Sequence, residues 1–185
     1  RKNMEILIVL AVVLCLVAFV VSAYNKLIRY QKGVDEARSG IDVQMKEKGN
    51  LVKNLLAIIK KQESFESNTL KEIVLARQGL ESSDTGEQLK ASESLTTLVN
   101  VVMEQYPNLG TNESYAKFMA QYGEVERKVT YARNRYNVVV TEYNTLQCSI
   151  PYNFFAGMAK CKQEPVFELD RTEFKQIDDL DIGEM

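Results

Sequence analysis

The chain has 185 residues, a formal net charge of −2, and no histidine or tryptophan. This length fits one domain of ordinary size, and the near-neutral charge gives no reason to expect a nucleic-acid partner. Without histidine, the chain lacks the commonest metal ligand and the commonest general acid or base at neutral pH. Three cysteines are too few and too scattered for a zinc site or a disulfide scaffold. We therefore expect a protein that is not an enzyme and holds no metal or cofactor.

The chain opens with an apolar run. Residues 6–23 are eighteen residues with one hydroxyl and no charge. As a helix they would reach roughly 27 Å, close to the hydrocarbon thickness of a bilayer. A buried soluble helix would normally carry polar residues on one face, and the apolar core of a cleaved signal peptide is shorter. We predict an uncleaved transmembrane anchor over residues 1–23, with Tyr24 at the headgroup level and the lipid bilayer as a partner.

The charges that flank the anchor leave its orientation open. Counting Lys and Arg near the span favours a cytoplasmic domain, because more of them come after the run than before it. A short basic start before an apolar run is also typical of a signal anchor that exports the domain behind it. The residues concerned are Arg1 and Lys2 before the run, and Lys26, Arg29, Lys32 and Arg38 after it.

Residues 24–47 continue as a helix with one apolar stripe and no breaker, so anchor and first helix are predicted to form one rod. Gly49 and Asn50 then favour the end of this helix and the start of a second, through a glycine C-cap and an asparagine N-cap. A connection this short predicts an antiparallel hairpin. The stripe of the first helix is Leu27, Val34, Ala37, Ile41 and Met45.

Gly33 and Gly40 lie seven residues apart in the first helix and so share a face. Glycine inside a helix costs about 1 kcal/mol relative to alanine. Two interpretations stay open. These are tolerated weak points, or they form a close-packing interface where another helix approaches, as small residues allow between membrane helices.

The remaining pattern predicts three more helices. The second helix carries a stripe from Leu51 to Ala76, residues 79–86 form a loop, and a third helix spans about 87–106. Pro107 and Gly110 stop it, and Asn112 is placed to cap a fourth. The fold class is all-α, an antiparallel four-helix bundle. The inward stripe of the fourth helix alternates steps of three and four residues: Tyr115, Phe118, Tyr122, Val125, Val129, Ala132, Tyr136, Val139, Tyr143, Leu146 and Ile150.

The fourth helix should return the chain to the bilayer, and an aromatic cluster lies just after it. Tyr152, Phe154 and Phe155 either rest in the membrane interface, like Tyr24, or plug the open end of the bundle. Cys148 and Cys161 lie thirteen residues apart across this region. They pair if the domain faces an oxidising space, and stay unpaired otherwise.

Several polar residues flank the apolar stripes of the first and fourth helices. We hypothesise that Asp42 pairs with Arg133 in a buried network that fixes which helix faces meet, because mispairing would leave a charge unmatched. The alternative is that these charged side chains simply face the solvent. These polar residues are Asp42, Gln44, Glu126, Arg127, Arg133, Asn137 and Asn144.

The tyrosines of the fourth helix are interpreted as core residues, with their buried hydroxyls bonded to Asn137 or Asn144.

Residues 166–185 hold two basic and seven acidic residues, against a basic surplus in residues 1–165. The segment lacks the spaced ligand order of a calcium loop. It is typical of a solvated extension, and the alternative is a docking peptide for a basic partner. The chain therefore divides into an anchor over 1–23, a helical domain over 24–165 and an acidic tail over 166–185.

Short motifs along the chain resemble the LemA family, over residues 4–168. Three features depart from its pattern: Arg38 replaces a usual tryptophan, Lys53 replaces a usual proline, and the acidic tail after Glu168 is not part of it. The matching segments are 24–27 (YNKL), 41–46 (IDVQMK), 50–52 (NLV), 54–55 (NL), 76–77 (AR), 104–109 (EQYPNL), 126–127 (ER), 132–133 (AR), 136–137 (YN), 143–144 (YN) and 165–168 (PVFE).

This resemblance implies a single-pass protein of the bacterial cell membrane with a four-helix bundle and no established enzymatic activity. Two functions remain open. The first is a scaffold or assembly protein that forms a homo-oligomer, pairing through Gly33 and Gly40, or docks other membrane proteins. The second is a membrane-tethered sensor whose bundle holds a small ligand.

Overall fold

The computed structural model describes residues 1–60 and 67–167, and this part of the chain is all-helical, without a strand. A short 3₁₀ helix, Pro107–Thr111, precedes the fourth long helix. The α-helices are α1 (Lys2–Ile59), α2 (Ser67–Gly79), α3 (Thr85–Gln105), α4 (Glu113–Cys148) and α5 (Tyr152–Ala156).

Helix α1 is one continuous helix of 58 residues, so the predicted continuity between the apolar run and the first helix of the domain is confirmed. Its length is about 87 Å. The apolar run is long enough to cross a membrane, and its side chains are almost all exposed. From Ala23 onward one stripe is buried, at Ala23, Leu27, Val34, Ala37, Ile41, Met45, Lys48, Gly49, Val52, Leu55 and Ile59.

The predicted hairpin at Gly49 and Asn50 is wrong, because α1 passes through both residues without interruption. Gly49 has no positive φ and is buried, and a Cβ there would lie 3.7 Å from the Leu80 side chain. Its carbonyl oxygen accepts a hydrogen bond from Arg77 Nε at 3.1 Å. The glycine therefore lets the end of α2 and the loop after it pack closely. The rest of the predicted second helix is divided between α1 and α2, and Gln62 and Phe65 lie outside the described residues.

Helices α1 and α4 form the main contact and run in opposite directions, since Glu36 bonds Arg135 and Glu47 bonds Lys128. Helix α2 packs on α3, and α3 also contacts α1. The predicted loop between α2 and α3 and the stop at Pro107 are confirmed. Whether these helices form an antiparallel four-helix bundle stays a prediction.

Asn112 caps α4 as predicted, accepting hydrogen bonds from the backbone N–H groups of Ser114 and Tyr115. The buried stripe of α4 agrees with the prediction as far as Val129 and again at Tyr136 and Tyr143. At Ala132, Val139 and Leu146 the fully buried residue is instead the next one along the chain. A strict alternation of three and four has a period of 3.5, whereas a straight helix has 3.6, so the two drift apart along a long helix. Ile150 ends up 80% exposed. The later buried positions are Arg133, Tyr136, Val140, Tyr143 and Gln147.

Candidate functional site

The candidate binding surface is a groove between α1 and α4 with a volume of about 440 Å³. Its floor holds small residues, Ala37, Gly40 and Ala132, so facing helices leave space there. A Cβ built on Gly40 would meet nothing within 4 Å. We call this surface the α1–α4 groove. It is lined by Glu36, Ala37, Gly40 and Gln44 of α1 and by Glu124, Arg127, Lys128, Tyr131, Ala132 and Arg135 of α4.

The groove faces away from α3. On α4, Glu126 and Arg133 bond to Thr96 and Glu93 of α3. At 100° per residue, Tyr131 and the other groove residues of α4 lie on the far side of the helix from this pair. The groove is therefore built by α1 and α4 alone and stays open to a partner.

Charges of both signs border the groove. Arg135 donates to Glu36 at 3.0 Å, and Lys128 bonds Glu47 at 3.1 Å and Glu124 at 3.3 Å. The hydrogen bonds to the two glutamates raise the pKa of Lys128. Both basic side chains are substantially exposed, so these pairs contribute little to stability. They set instead the pattern of charge that a partner meets.

Gln44 leaves a polar atom without a partner at this surface. Its Oε1 is buried and accepts no hydrogen bond from the described residues. A buried acceptor without a donor is unfavourable, so a molecule that brings a donor into the groove would be favoured.

The two glycines of α1 differ in their surroundings. A Cβ on Gly33 would lie 3.6 Å from Val139 of the same chain's α4, whereas Gly40 is open. Gly33 therefore serves the contact within the chain, and Gly40 is the member of the predicted pair that a second molecule can approach.

A buried cation joins three helices farther along α1. Lys48 is fully buried, and its Nζ lies 2.6 Å from Ser92 Oγ, 2.7 Å from the Ser92 carbonyl oxygen and 3.0 Å from Thr96 Oγ1. Its Nζ also pairs with Glu126 Oε1 at 2.5 Å and lies 5.3 Å from the centre of the Tyr122 ring. Burial and the Glu126 carboxylate raise the pKa of the Tyr122 hydroxyl. We call these residues the Lys48 cluster.

The Lys48 cluster has the composition of a serine–lysine catalytic pair but not its arrangement. A lysine acts as a base when it is a neutral amine, and here it donates to several acceptors and pairs with a carboxylate. Ser92 is only 3% exposed. The cluster therefore fixes how α1, α3 and α4 face one another, which is the role we expected for Asp42 and Arg133.

The expected pairing of Asp42 with Arg133 is wrong. Asp42 is exposed on α1, because it lies one residue, or 100°, past buried Ile41. Arg133 is buried on α4 and donates to Glu93 Oε1 of α3 at 2.8 Å. Of the predicted polar set, Glu126 joins the Lys48 cluster, whereas Gln44 and Arg127 line the groove.

Asn137 and Asn144 hold an extended segment, residues 162–167, rather than tyrosine hydroxyls. Asn144 bonds both the N–H and the carbonyl of Glu164, at 3.1 and 2.8 Å. Asn137 does the same with Phe167, at 2.9 and 2.7 Å. Gln147 donates to the Lys162 carbonyl at 3.2 Å. Residues 162–167, which we call the strap, therefore run antiparallel to α4.

The spacing of the two asparagines matches that of the strap. Seven residues along a helix rise about 10.5 Å, and three extended residues, from Glu164 to Phe167, span about 10 Å. The strap is also held by an ion pair between Arg38 and Glu164 at 2.7 Å and by stacking of Phe167 on Tyr136, with ring centres 5.3 Å apart. The sequence carries this signal as two Tyr-Asn pairs seven residues apart, at 136–137 and 143–144.

The aromatic residues predicted at the membrane interface are only partly at the surface. Tyr24 is 39% exposed and Phe154 is 72% exposed, while Tyr152 and Phe155 are half-buried against the domain. Lys26 Nζ lies 3.3 Å from Tyr152 Oη and 4.9 Å from the centre of its ring. Tyr152 therefore joins the end of the domain to α1 just past the apolar run.

The cysteines and carboxylates form no further site in the described part of the chain. Cys148 and Cys161 are free thiols, and Cys161 helps to raise the pKa of the Tyr143 hydroxyl, after the larger effect of burial. Over residues 1–60 and 67–167, no group of three or more Cys, Asp or Glu side chains is arranged to hold a metal ion. Of the acidic tail, residues 168–185 lie outside the described residues.

Comparison with known proteins places the chain in a family. The model of the LemA family matches residues 37–179, so the match extends into the acidic tail, and the expectation that the tail after Glu168 lies outside the family's pattern is wrong as far as residue 179. Protein LemA of Metamycoplasma hominis is 23% identical over 163 residues, covering 85% of this chain and 74% of that protein. Magnetosome proteins MamQ 1 and MamQ 2 of Paramagnetospirillum magneticum are each 22% identical over 189 aligned positions, covering 84% of this chain and 70% of theirs. The chain belongs to the LemA family.

Proposed function

We propose that the protein is a membrane-anchored, non-enzymatic scaffold of the cell membrane, whose copies associate through the α1–α4 groove and so bring membrane proteins together. The apolar part of α1 supplies the anchor: its side chains are exposed over a length that fits a bilayer. The rest of the chain supplies a helical domain on the same helix. Such a chain carries its groove at a fixed height above the membrane.

The observation that carries the proposal is the small-residue floor of the groove. Gly40, with Ala37 and Ala132 beside it, lets a second helix approach closely. A two-fold interface needs a surface that complements itself, and the acidic and basic residues bordering the groove meet that requirement. The unpartnered Oε1 of Gln44 would gain a donor there, for example from the Gln44 amide of a second copy.

The experiment fills the groove. Gly40→Leu puts a large side chain on the floor, and we expect the particle size of the full chain in mild detergent to fall to that of one copy. Gly123→Leu is the matched control, because a Cβ on Gly123 of α4 also meets nothing within 4 Å. Both changes improve helix propensity by about the same amount, so a difference in size reports the groove. An unchanged size for Gly40→Leu, by light scattering, would show that copies associate elsewhere or not at all.

A second candidate, a membrane-tethered sensor for a small ligand, is favoured by the volume of the same groove. Its 440 Å³ falls within the range of small-molecule sites. A wild-type particle that contains a single copy would favour this candidate. Native mass spectrometry would then detect a retained small molecule in wild type and in Gly123→Leu but not in Gly40→Leu.

A further inference from the structure

One short segment of the domain exposes its large apolar side chains. Residues 150–158 surround α5, and Ile150, Phe154 and Met158 are 80, 72 and 68% exposed. Tyr152 and Phe155 between them are half-buried against the domain. A surface helix normally does the reverse, with polar residues outside. We call Ile150, Phe154 and Met158 the apolar ridge.

The apolar ridge lies at the end of the domain from which the apolar run departs. Helix α5 contacts both α1 and α4, and Tyr152 bonds Lys26. Lys26 lies three residues past Ala23, the last residue of the run, or about 4.5 Å along α1. A bilayer that surrounds the run therefore reaches the level of the ridge.

The same end is positively charged, although the whole chain has a net charge of −2. Residues 6–34 of α1 and residues 143–163 around α5 contain no Asp or Glu. Within the domain, the carboxylates that flank the two stretches are those of Asp35, which lies 3.6 Å from Lys32 Nζ, of Glu142, and of Glu164, which is paired with Arg38. The two stretches together carry five basic residues, Lys26, Arg29, Lys32, Lys160 and Lys162.

We propose that the apolar ridge and these five basic residues form a second membrane contact that docks on anionic phospholipids beside the anchor. The ridge would enter the boundary between headgroups and acyl chains, as the apolar face of an interfacial helix does. The lysines and arginines would extend their aliphatic stems along the same boundary and place their charges at the lipid phosphates. The contact rests on the proposed function in one respect, that residues 6–23 span the bilayer.

The chain offers a direct probe, because it contains no tryptophan. Phe154→Trp places a single indole on the ridge of the full-length protein, reconstituted into vesicles of phosphatidylcholine with phosphatidylglycerol. We expect blue-shifted emission and loss of intensity when the lipids carry bromine near the headgroup. Val43→Trp is the matched control: Val43 is 58% exposed on α1, about 30 Å farther from the membrane end. Its emission should stay red-shifted and unquenched.

The role of charge is tested in the same protein. Lys160→Gln with Lys162→Gln, added to Phe154→Trp, should reduce the quenching, as should vesicles of phosphatidylcholine alone. Equal quenching in neutral and anionic vesicles would overturn the charge-dependent part of the proposal. An indole as red-shifted and unquenched as the Val43→Trp control would overturn all of it. So would blue-shifted emission without quenching by brominated lipid, because the ridge would then be covered by protein.

Failure of the docking contact can be told apart from failure of the anchor. A chain that stays with vesicles after alkaline extraction has a spanning segment, whatever the indole reports. If it stays and the Phe154→Trp indole is unquenched, docking alone is wrong. If it is extracted, the proposed function is wrong as well. Circular dichroism of each variant confirms that the helical content is unchanged.

Discussion

The two ends of the domain depart from the usual pattern of burial in opposite ways. Near Lys48 a cation lies inside, and near Ala23, about 38 Å away along α1, large apolar side chains lie outside. The Lys48 ammonium donates hydrogen bonds to Ser92 and Thr96 and forms an ion pair with Glu126 of the same chain. Ile150, Phe154 and Met158 remain exposed in the described structure. The buried Lys48 therefore stabilises the fold itself, whereas the exposed apolar side chains are available to contact other molecules.

The largest effect should come from removing the buried cation. Lys48→Met leaves the Glu126 carboxylate and the Ser92 groups without their partner, and we expect the free energy of unfolding to fall by about 3 kcal/mol. Replacing both charges, as Lys48→Met with Glu126→Leu, should recover most of the loss, because an apolar pair needs no counter-charge. Urea titration of the solubilised chain measures both. Equal stabilities of wild type and Lys48→Met would mean that the cluster is not needed for the packing of α1 against α3 and α4.

We expect an effect of intermediate size at the strap, where asparagine side chains of α4 form hydrogen bonds with the backbone of residues 162–167. Asn137→Ala with Asn144→Ala removes four hydrogen bonds, and we expect a loss of about 2 kcal/mol, confined to residues 162–167. Amide hydrogen exchange of the strap should accelerate while exchange in α4 stays slow. Asn134→Ala, at an exposed position of the same helix, is the control. Unaltered exchange in the double variant would mean that Arg38 and Phe167 hold the strap by themselves.

Alkaline pH tests the two buried tyrosines Tyr122 and Tyr143. Burial raises the pKa of Tyr122 and of Tyr143 above the ordinary value of about 10, so the unfolded chain loses these protons first. Stability is therefore retained below about pH 10 and falls as pH rises further, by up to about 1.4 kcal/mol per pH unit for each tyrosine. Tyr122→Phe should make this decline shallower in a pH series of thermal unfolding, compared with the same change at exposed Tyr131. A decline of equal slope in both variants would show that the Tyr122 hydroxyl ionises in the folded protein.

The smallest effect is expected at the end of the domain near Ala23, where Phe154 is exposed. Phe154→Ser should change the free energy of unfolding in detergent by less than about 0.5 kcal/mol, because the side chain contributes little to the core. The matched change Phe118→Ser, at a residue only 3% exposed, should cost several-fold more. Similar losses for the two would mean that Phe154 packs inside the domain, and the comparison of the two ends would fail.

Periodicity and turn chemistry predicted the all-helical class and the course of the chain from α3 to α4, but not the division between α1 and α2. Some features depend only on residues that are close together in sequence, so packing with the rest of the chain does not change them. They include the stripe of α4 as far as Val129, the stop at Pro107 and the cap at Asn112. Gly49 misled the prediction because a glycine can end a helix or let a neighbour approach, and the sequence does not say which. The approach of Leu80, a tertiary contact, decides it.

The Lys48 cluster and the strap were harder to predict, because their charged and polar residues interrupt the apolar pattern that was used to find buried positions. Lys48 continues the buried stripe of α1 after Ile41 and Met45, at steps of four and three, and only its charge excluded it. Gln147 was missed on α4 for the same reason, whereas Arg133 was expected to be buried but with Asp42, not Glu93, as its partner. The strap was not predicted, because the two Tyr-Asn pairs of α4 do not say which extended segment, twenty to thirty residues away in sequence, their amide groups meet.

The unbroken course of α1 has a mechanical consequence. From Ala23 to Ile59 the helix extends about 55 Å, and no hinge separates this part from the apolar run. A change of about 10° in the tilt of the run would swing the far end sideways by about 10 Å. In the proposed membrane-spanning arrangement, a change in bilayer thickness that altered this tilt would therefore move the outermost helical turns.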